Sequence, residues 1–400
     1  MNIRLINCDH VHIFDETTFV YAADGIYELD SVSTRLISIL KSDSSFDYVV
    51  SQTEKQMELD YHSARELVED IIQANHRFLT ISSNPNIVKI TGRFEARFPS
   101  MLQISLTSRC VHQCKHCFKK CNIVQGNDFP FDSLVGLLNQ IKGESSFVEF
   151  TGGEPLLYPH IMDIVRLFRN QFHMHITTSG YALHTFSLSD LENFELIQIS
   201  LHGSAPTIHD SFVGRRGSFC MVTNNIRWLC RNGVNVVVSR CIQSYDANEL
   251  NDFIKLCIDL GVRHVIFGII LPVGRAVQTG CITANSEYAK ITTFLKSAQE
   301  YYPQIDIVLD EDHALSKQCS KYVFHCIGGR AHLYVDENGS VFPCPYCQEE
   351  SLSMGNIIMK PDTVNRIIYQ SQYDVFNNEL ISRPLSQLKN ICPNIREPDL

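Results

Sequence analysis

Residues 105–118 read SLTSRCVHQCKHCF and place Cys110, Cys114 and Cys117 at successive spacings of four and three. The run just before them, 102–106, is short and apolar and reads as a strand, so the three thiols sit in the loop that leaves it. Thiolates at this spacing turn around one small volume. They match a 4Fe–4S cube in which three irons take protein sulfur and the fourth stays open, because thiolate suits a soft iron–sulfide core. The open iron can chelate the amino and carboxylate groups of a small cofactor. With 15 cysteines in 400 residues, chance would supply only ~0.02 such patterns. A zinc knuckle is the other reading of the same residues, with Cys121 or His116 as its fourth ligand.

Outward from this loop the chain alternates strands and helices. Strand candidates are 102–106, 147–150, 173–177, 196–201, 234–239 and 264–271, with helical spacing at 131–141, 161–172, 219–232 and 247–260. Six βα units in series predict parallel strands with right-handed crossovers. A closed eight-unit barrel needs about 250 residues, so the expected fold class is α/β, a partial (β/α)6 TIM barrel over residues 100–300. The triad then lies at the C-terminal rim, where barrel chemistry sits.

Upstream, strand-like runs at 11–14, 18–22 and 25–29 precede helical patterns at 32–40, 46–56 and 61–75. Asp30 or Ser31 is placed to cap the first helix and Asp60 the last. A hairpin followed by three helices predicts a winged-helix-like domain over 1–85, and 81–100, with Asn84-Pro85 and Pro99, reads as a linker. Residues 1–90 hold seven Lys/Arg against fourteen Asp/Glu, a sign that opposes phosphate binding. The whole chain carries −10, which argues against nucleic acid or an anionic membrane as partner. No run of about 18 apolar residues predicts a membrane span, and the N-terminus lacks the pattern of a secretory signal. Many thiols without such a signal point to metal or catalysis and to the cytoplasm.

The triad after a first strand, followed after the second by Thr151-Gly152-Gly153-Glu154-Pro155, resembles the radical S-adenosylmethionine (SAM) superfamily. The resemblance implies that Gly152, Gly153 and Glu154 line the methionyl amine of the cofactor. Glycine lets the backbone approach closely, and a carboxylate pairs with an ammonium. Two looser matches are Ser200 in QISLHG, expected near the ribose, and Arg216 in GRRGSF, expected near the cofactor. In this family the reduced cluster cleaves SAM to a 5′-deoxyadenosyl radical, which takes a hydrogen from an unactivated C–H bond.

Residues 305–400 form a third region. Residues 331–335 and 340–342 read as a hairpin, and Cys326, Cys344, Cys347 and Cys392 are available as ligands. With Pro272-Val273-Gly274-Arg275-Ala276 upstream, this resembles the SPASM or shorter twitch extension, short of the seven cysteines of the full SPASM pattern. The resemblance implies one auxiliary cluster, 4Fe–4S or 2Fe–2S, with Cys319 as a substitute ligand; a structural zinc on the same thiols is the alternative. The N-terminal segment FVYAADGIYELDSVSTRLISIL resembles the recognition element that binds the leader of a ribosomally made peptide as an added strand.

Together these features resemble sactipeptide maturases, which form thioethers between a cysteine sulfur and a peptide carbon. The comparison implies a precursor peptide bound through its leader, and an electron donor such as flavodoxin or ferredoxin. It implies that the auxiliary cluster takes up an electron. No side chain is expected as general acid or base. A C–C crosslink, decarboxylation or epimerisation of the peptide is the alternative chemistry. A non-catalytic, zinc-containing peptide-binding protein is the alternative class.

Overall fold

The structure, a computed structural model, describes residues 1–22, 25–124, 126–309, 328–329, 332–348 and 350–369. Cys319, Cys326, Cys392 and the terminal NICPNIREPDL lie outside the described residues.

The N-terminal module comprises β1 (Asn2–Leu5), β2 (His10–Phe14), β3 (Thr17–Ala22), β4 (Gly25–Leu29), α1 (Ser31–Leu40), α2 (Phe46–Met57), α3 (Tyr61–Ala74), β5 (Leu79–Ser82) and β6 (Lys89–Arg93). Asp30 accepts from the Ser33 N–H, and Asp60 from those of His62 and Ser63, so both expected caps start their helices. The stretch read as a linker is instead structured. β5 pairs antiparallel with β1, and β6 pairs parallel with β2. A parallel partner 79 residues away leaves no local signal, which is why β6 escapes a sequence reading.

The alternation in HVHIF gives the sheet β4-β3-β2-β6 two different faces. Val11, Ile13 and Val20 pack with α1, α2 and α3. On the other face, His10, His12, Phe14, Phe19 and Tyr21 turn toward the next domain. Phe14 and Phe19 share a core with its strands, and His10 stacks on Tyr21 at 4.0 Å and meets Phe147 edge-on at 4.6 Å. His12 bonds the Phe98 carbonyl through Nε2 at 2.7 Å and Thr91 Oγ1 through Nδ1 at 2.9 Å.

That next domain is built from β7 (Met101–Thr107), α4 (Phe131–Gln140), β8 (Phe147–Gly152), α5 (Ile161–Phe168), β9 (His173–Thr178), α6 (Leu188–Leu191), β10 (Leu196–Ser200), α7 (Pro206–Val213), α8 (Ser218–Arg231), β11 (Val236–Ile242), α9 (Ala247–Leu260), β12 (His264–Ile269), α10 (Arg275–Thr279) and α11 (Asn285–Tyr301). The six expected strands stand in sequence order, each parallel to its neighbour. The structure adds a parallel strand at each end. β13 (Asp306–Leu309) joins β12, and β14 (His332–Val335) joins β7. β14 then turns back as a hairpin with β15 (Ser340–Phe342), followed by β16 (Gly355–Asn356) and α12 (Thr363–Tyr369). The expected hairpin therefore forms, and it is also an extension of the barrel sheet, which places it beside the triad strand. Among the described residues no helix is long and apolar enough to cross a membrane.

Burial holds the interface histidines neutral, lowering His10 to about 3 and His12 to about 4. Both folded values lie below the unfolded one. Their contribution to stability is therefore present above about pH 6.5 and lost as pH falls toward 4, on the order of 3 kcal/mol for a fully buried histidine. The melting temperature should fall across this window, and less steeply in a His12→Asn variant; parallel slopes in the two proteins would contradict the account.

Candidate metal centre

All six expected strands deliver their C-terminal ends to one rim. The triad loop leaves β7 and is fastened there on several sides. The Cys110 N–H donates to the Asn122 carbonyl at 3.0 Å, and Gln113 and Lys115 donate to the Val213 and Phe212 carbonyls at the end of α7. Arg109 forms a bidentate pair with Asp128 (3.1 and 2.6 Å) and reaches the Leu157 carbonyl.

The glycine-rich turn is bonded directly to this loop. The Gly153 N–H donates to the Thr107 carbonyl at 2.7 Å, and the Glu154 N–H to that of Arg109 at 2.8 Å. Approach this close excludes side chains. A Cβ on Gly152, whose φ is +125°, would lie 2.4 Å from the Thr107 oxygen, and one on Gly153 would lie 2.2 Å from that of Arg109. The Glu154 carboxylate is fully buried. It accepts from the Leu156 N–H (3.1 Å) and Thr178 Oγ1 (2.6 Å) on one oxygen, and from the Ser179 N–H (2.9 Å) and hydroxyl on the other. Burial raises its pKa, opposed by these donors. With both oxygens engaged, Glu154 locks the turn to the end of β9. Its charge also bears on Cys110.

The three thiols form one electrostatic neighbourhood. Burial raises Cys110 to about 12 and lifts Cys114 well above the usual thiol range, with neighbouring thiols adding to both. Cys117 goes the other way and is lowered, chiefly because the Cys121 thiol hydrogen-bonds it. Cys121, the candidate fourth ligand of the zinc reading, thus lies against the triad. Arg275 opposes the upward shifts and is the residue that the sequence reading missed. Its guanidinium donates to the Cys114 and Cys121 carbonyls, both at 2.8 Å, and its own N–H donates to the Cys117 carbonyl at 2.9 Å. Gly274 before it, at φ +59°, lies so near Phe118 that a Cβ would meet that carbonyl oxygen at 2.2 Å. Only the PVGRA resemblance pointed here, and it named no contact.

Of the looser expectations, Ser200 ends β10 half-buried, paired with Ser239 of β11. Arg216 is exposed, whereas Arg215 donates to the Val111 carbonyl and the Tyr181 hydroxyl, both at 3.1 Å, and lies over the Tyr181 ring. His116 is held between Phe212, stacked at 4.9 Å, and His202, edge-on at 4.8 Å. Behind the loop, His209 accepts from the His202 N–H and is linked through the Ser218 hydroxyl to His112 Nε2.

The C-terminal hairpin reaches the same rim. Lys119, two residues beyond the triad, forms a buried ion pair with Glu337 and donates to the Tyr334 hydroxyl at 2.7 Å; Ser105 donates to Glu337 at 2.9 Å. Cys344 and Cys347 share a turn, closed by the Cys347 N–H on the Cys344 carbonyl, and Tyr346 between them meets Phe118 edge-on at 5.5 Å. Among the described residues no three His, Cys, Asp or Glu side chains converge on a single-ion site. A cube asks something different, one thiolate for each of several irons. Three mutually sensed thiols, a guanidinium beside them and a glycine cradle that any Cβ would fill suit such a group.

A thiol-bearing loop bonded at its base to a Gly-Gly-Glu turn, at the mouth of a parallel barrel, is the arrangement of the radical SAM class. The profile of the radical SAM superfamily matches residues 104–257, and that of the SPASM iron–sulfur cluster-binding domain matches 326–393. Residues 104–257 thus carry a radical SAM domain, which implies a 4Fe–4S cluster and SAM, and residues 326–393 match a SPASM domain, which implies auxiliary iron–sulfur clusters. It is 24% identical over 275 residues to the sporulation killing factor maturation protein SkfB of Bacillus subtilis, covering 67% of this chain and 65% of that protein. It is 22% identical over 321 residues to the subtilosin biosynthesis protein AlbA of the same organism, covering 79% and 66%. The chain thus spans just under two thirds of the length of these relatives. Its fold is similar to that of Streptococcus suis SuiB, with TM-score 0.67, 14% identity and coverage of 98% and 94%. SuiB bound to its precursor peptide SuiA aligns with TM-score 0.65 and 13% identity, covering 94% and 89%.

Proposed function

We propose that this chain is a radical SAM maturase that forms thioethers between a cysteine sulfur and a carbon of the same ribosomally made precursor peptide. The observation that carries the radical chemistry is the direct bonding of the triad loop to the Gly152-Gly153-Glu154 turn. The peptide substrate is supported by the likeness to SkfB and AlbA and by the acidic module fused to the barrel.

Cys110, Cys114 and Cys117 would hold the cluster, and Gly152 and Gly153 would let the cofactor lie against the backbone. When bound, cluster and cofactor supply a carbon radical able to take a hydrogen atom from an unactivated C–H bond. The chain's own part is orientation. Arg275 gathers the loop carbonyls, Glu154 fixes the glycine turn to β9, and Arg215, with its contacts to Val111 and Tyr181, braces the loop from the far side. Ser200, at the end of β10, is proposed to approach the ribose, and Arg216, exposed beside Arg215, to approach the cofactor. Cys326, Cys344, Cys347 and Cys392 are proposed as ligands of one auxiliary cluster. The domains are proposed as 1–85 for recognition, to which the pairing of β6 with β2 adds 89–93, 100–300 for the radical barrel and 305–400 for the auxiliary cluster. The leader is proposed to add to the sheet at β4, because both faces of the sheet are packed and β6 abuts Gly143. Flavodoxin or ferredoxin is the proposed electron donor, and the cytoplasm the proposed compartment.

Two measurements test this. Anaerobically reconstituted protein with dithionite and SAM should release 5′-deoxyadenosine and show iron–sulfur absorbance; a preparation with neither is not a radical enzyme. Co-expression with a cysteine-rich precursor peptide, sought among the small reading frames beside the gene, should remove two hydrogen masses per crosslink and leave the linked cysteines resistant to alkylation. Loss of carbon dioxide, or deuterium uptake alone, would replace the thioether by decarboxylation or epimerisation.

A further inference from the structure

The recognition module packs against one end of the barrel, and the radical site lies at the other. The module's contacts to the barrel fall on the segments that precede or begin the barrel strands. Tyr21 bonds Ser100, and His12 bonds the Phe98 carbonyl, just before β7. Thr91 bonds Ser146 at 2.6 Å, His10 packs on Phe147 at the start of β8, and Lys89 donates to the Gln171 carbonyl just before β9. The Gly92 N–H donates to the Gly143 carbonyl at 2.9 Å, Lys41 Nζ donates to the same carbonyl at 3.4 Å, and Arg93 pairs with Glu144. The triad, the glycine turn and Ser179 follow the other ends of these same strands.

The joint is a core. Phe14, Phe19, Ala96 and Phe98 are buried in one cluster with the barrel strands. A module attached in this way does not swing its sheet edge toward the rim on a linker. β7 has seven residues, which at ~3.3 Å per residue separates the two ends by about 20 Å. A fully extended peptide covers at most ~3.6 Å per residue.

We propose that the chain measures its substrate: a peptide held at the module presents a residue to the radical only if at least about six residues separate the recognised segment from the target. This rests on the reading that the module binds the leader. The response to length is asymmetric. A linker too short cannot bridge the span at all, whereas an over-long one only dilutes the effective concentration, falling roughly as the −3/2 power of its length.

The test uses the full reconstituted chain and the peptide of the co-expression experiment, fluorescently labelled. The stretch between its leader segment and first crosslinked residue is shortened stepwise or lengthened with Gly-Ser. Binding is followed by anisotropy and by hydrogen exchange at residues 25–29, and conversion by mass spectrometry. Affinity should stay within twofold across the series. Conversion should fall at least tenfold once fewer than about six residues remain, and less than threefold on adding four. Unchanged conversion with a three-residue linker, at equal affinity and with 25–29 protected, overturns the ruler and leaves leader binding standing. Tight binding without protection at 25–29 overturns the leader reading, and the ruler with it.

Discussion

Replacing Arg275 with methionine is expected to lower the iron retained after anaerobic reconstitution several-fold and to broaden the electron paramagnetic resonance signal of the reduced cluster. The methionine keeps most of the apolar stem and removes two charge-assisted hydrogen bonds. Each such bond contributes about 1.5–3 kcal/mol, and the carbonyls of Cys114 and Cys121 would lose these donors. A loss on the order of 3 kcal/mol shifts the balance between the ordered loop and its alternatives by about a hundredfold. The guanidinium also opposes the burial that raises Cys110 and Cys114, so thiolates become harder to form without it. Arg275→Lys keeps the charge and loses the fork that spans both carbonyls. It should therefore restore part of the iron while leaving the spectrum broadened. Full iron content and an unaltered spectrum in the methionine variant would remove Arg275 from the centre.

The second large effect is expected at the buried pair of Lys119 and Glu337. Glu337→Gln leaves an ammonium in a dry site, a change that costs about 3–5 kcal/mol when one partner of a buried pair is removed. For a barrel of this size that corresponds to a fall in melting temperature of roughly 10 °C. The pair joins the residue after Phe118 to the turn between β14 and β15. The loss should therefore appear in both the triad loop and the C-terminal hairpin. Burial alone would lower Lys119; the nearby Tyr334 and Glu337 more than reverse that, so its pKa stands above the ordinary lysine value. The double replacement Lys119→Met with Glu337→Leu should melt closer to the parent than either single variant, because the uncompensated charge is gone. Additive losses would show that the two side chains act separately.

The parts legible in the sequence were those encoded by neighbours along the chain. Asp30 and Asp60 begin helices because a side-chain oxygen meets an N–H two or three residues on. HVHIF alternates because successive side chains of a strand point to opposite faces. The same locality makes the Cys110, Cys114 and Cys117 spacing readable, since one short loop carries all three. The reading failed at β6, at β13 and at the parallel pairing of β14, each of which depends on a partner distant in sequence. It also gave no sign that Arg215, beside the expected Arg216, bonds the triad loop: adjacent arginines are equal in composition and differ only in direction.

By itself, then, the sequence determined the chemistry carried by the triad loop, the run of parallel strands and the acidic character of the first ninety residues, because short-range spacing and charge suffice for these. Only the tertiary structure decided which groups surround the thiols. Arg275 arrives from 161 residues away to hold the Cys114 carbonyl, and Glu337 from 218 residues away to pair with Lys119. It also decided that the module sits at the far end of the barrel from the triad. Burying the aromatic face of its sheet against the starts of β7, β8 and β9 fixes that position, and no pattern along the chain specifies it.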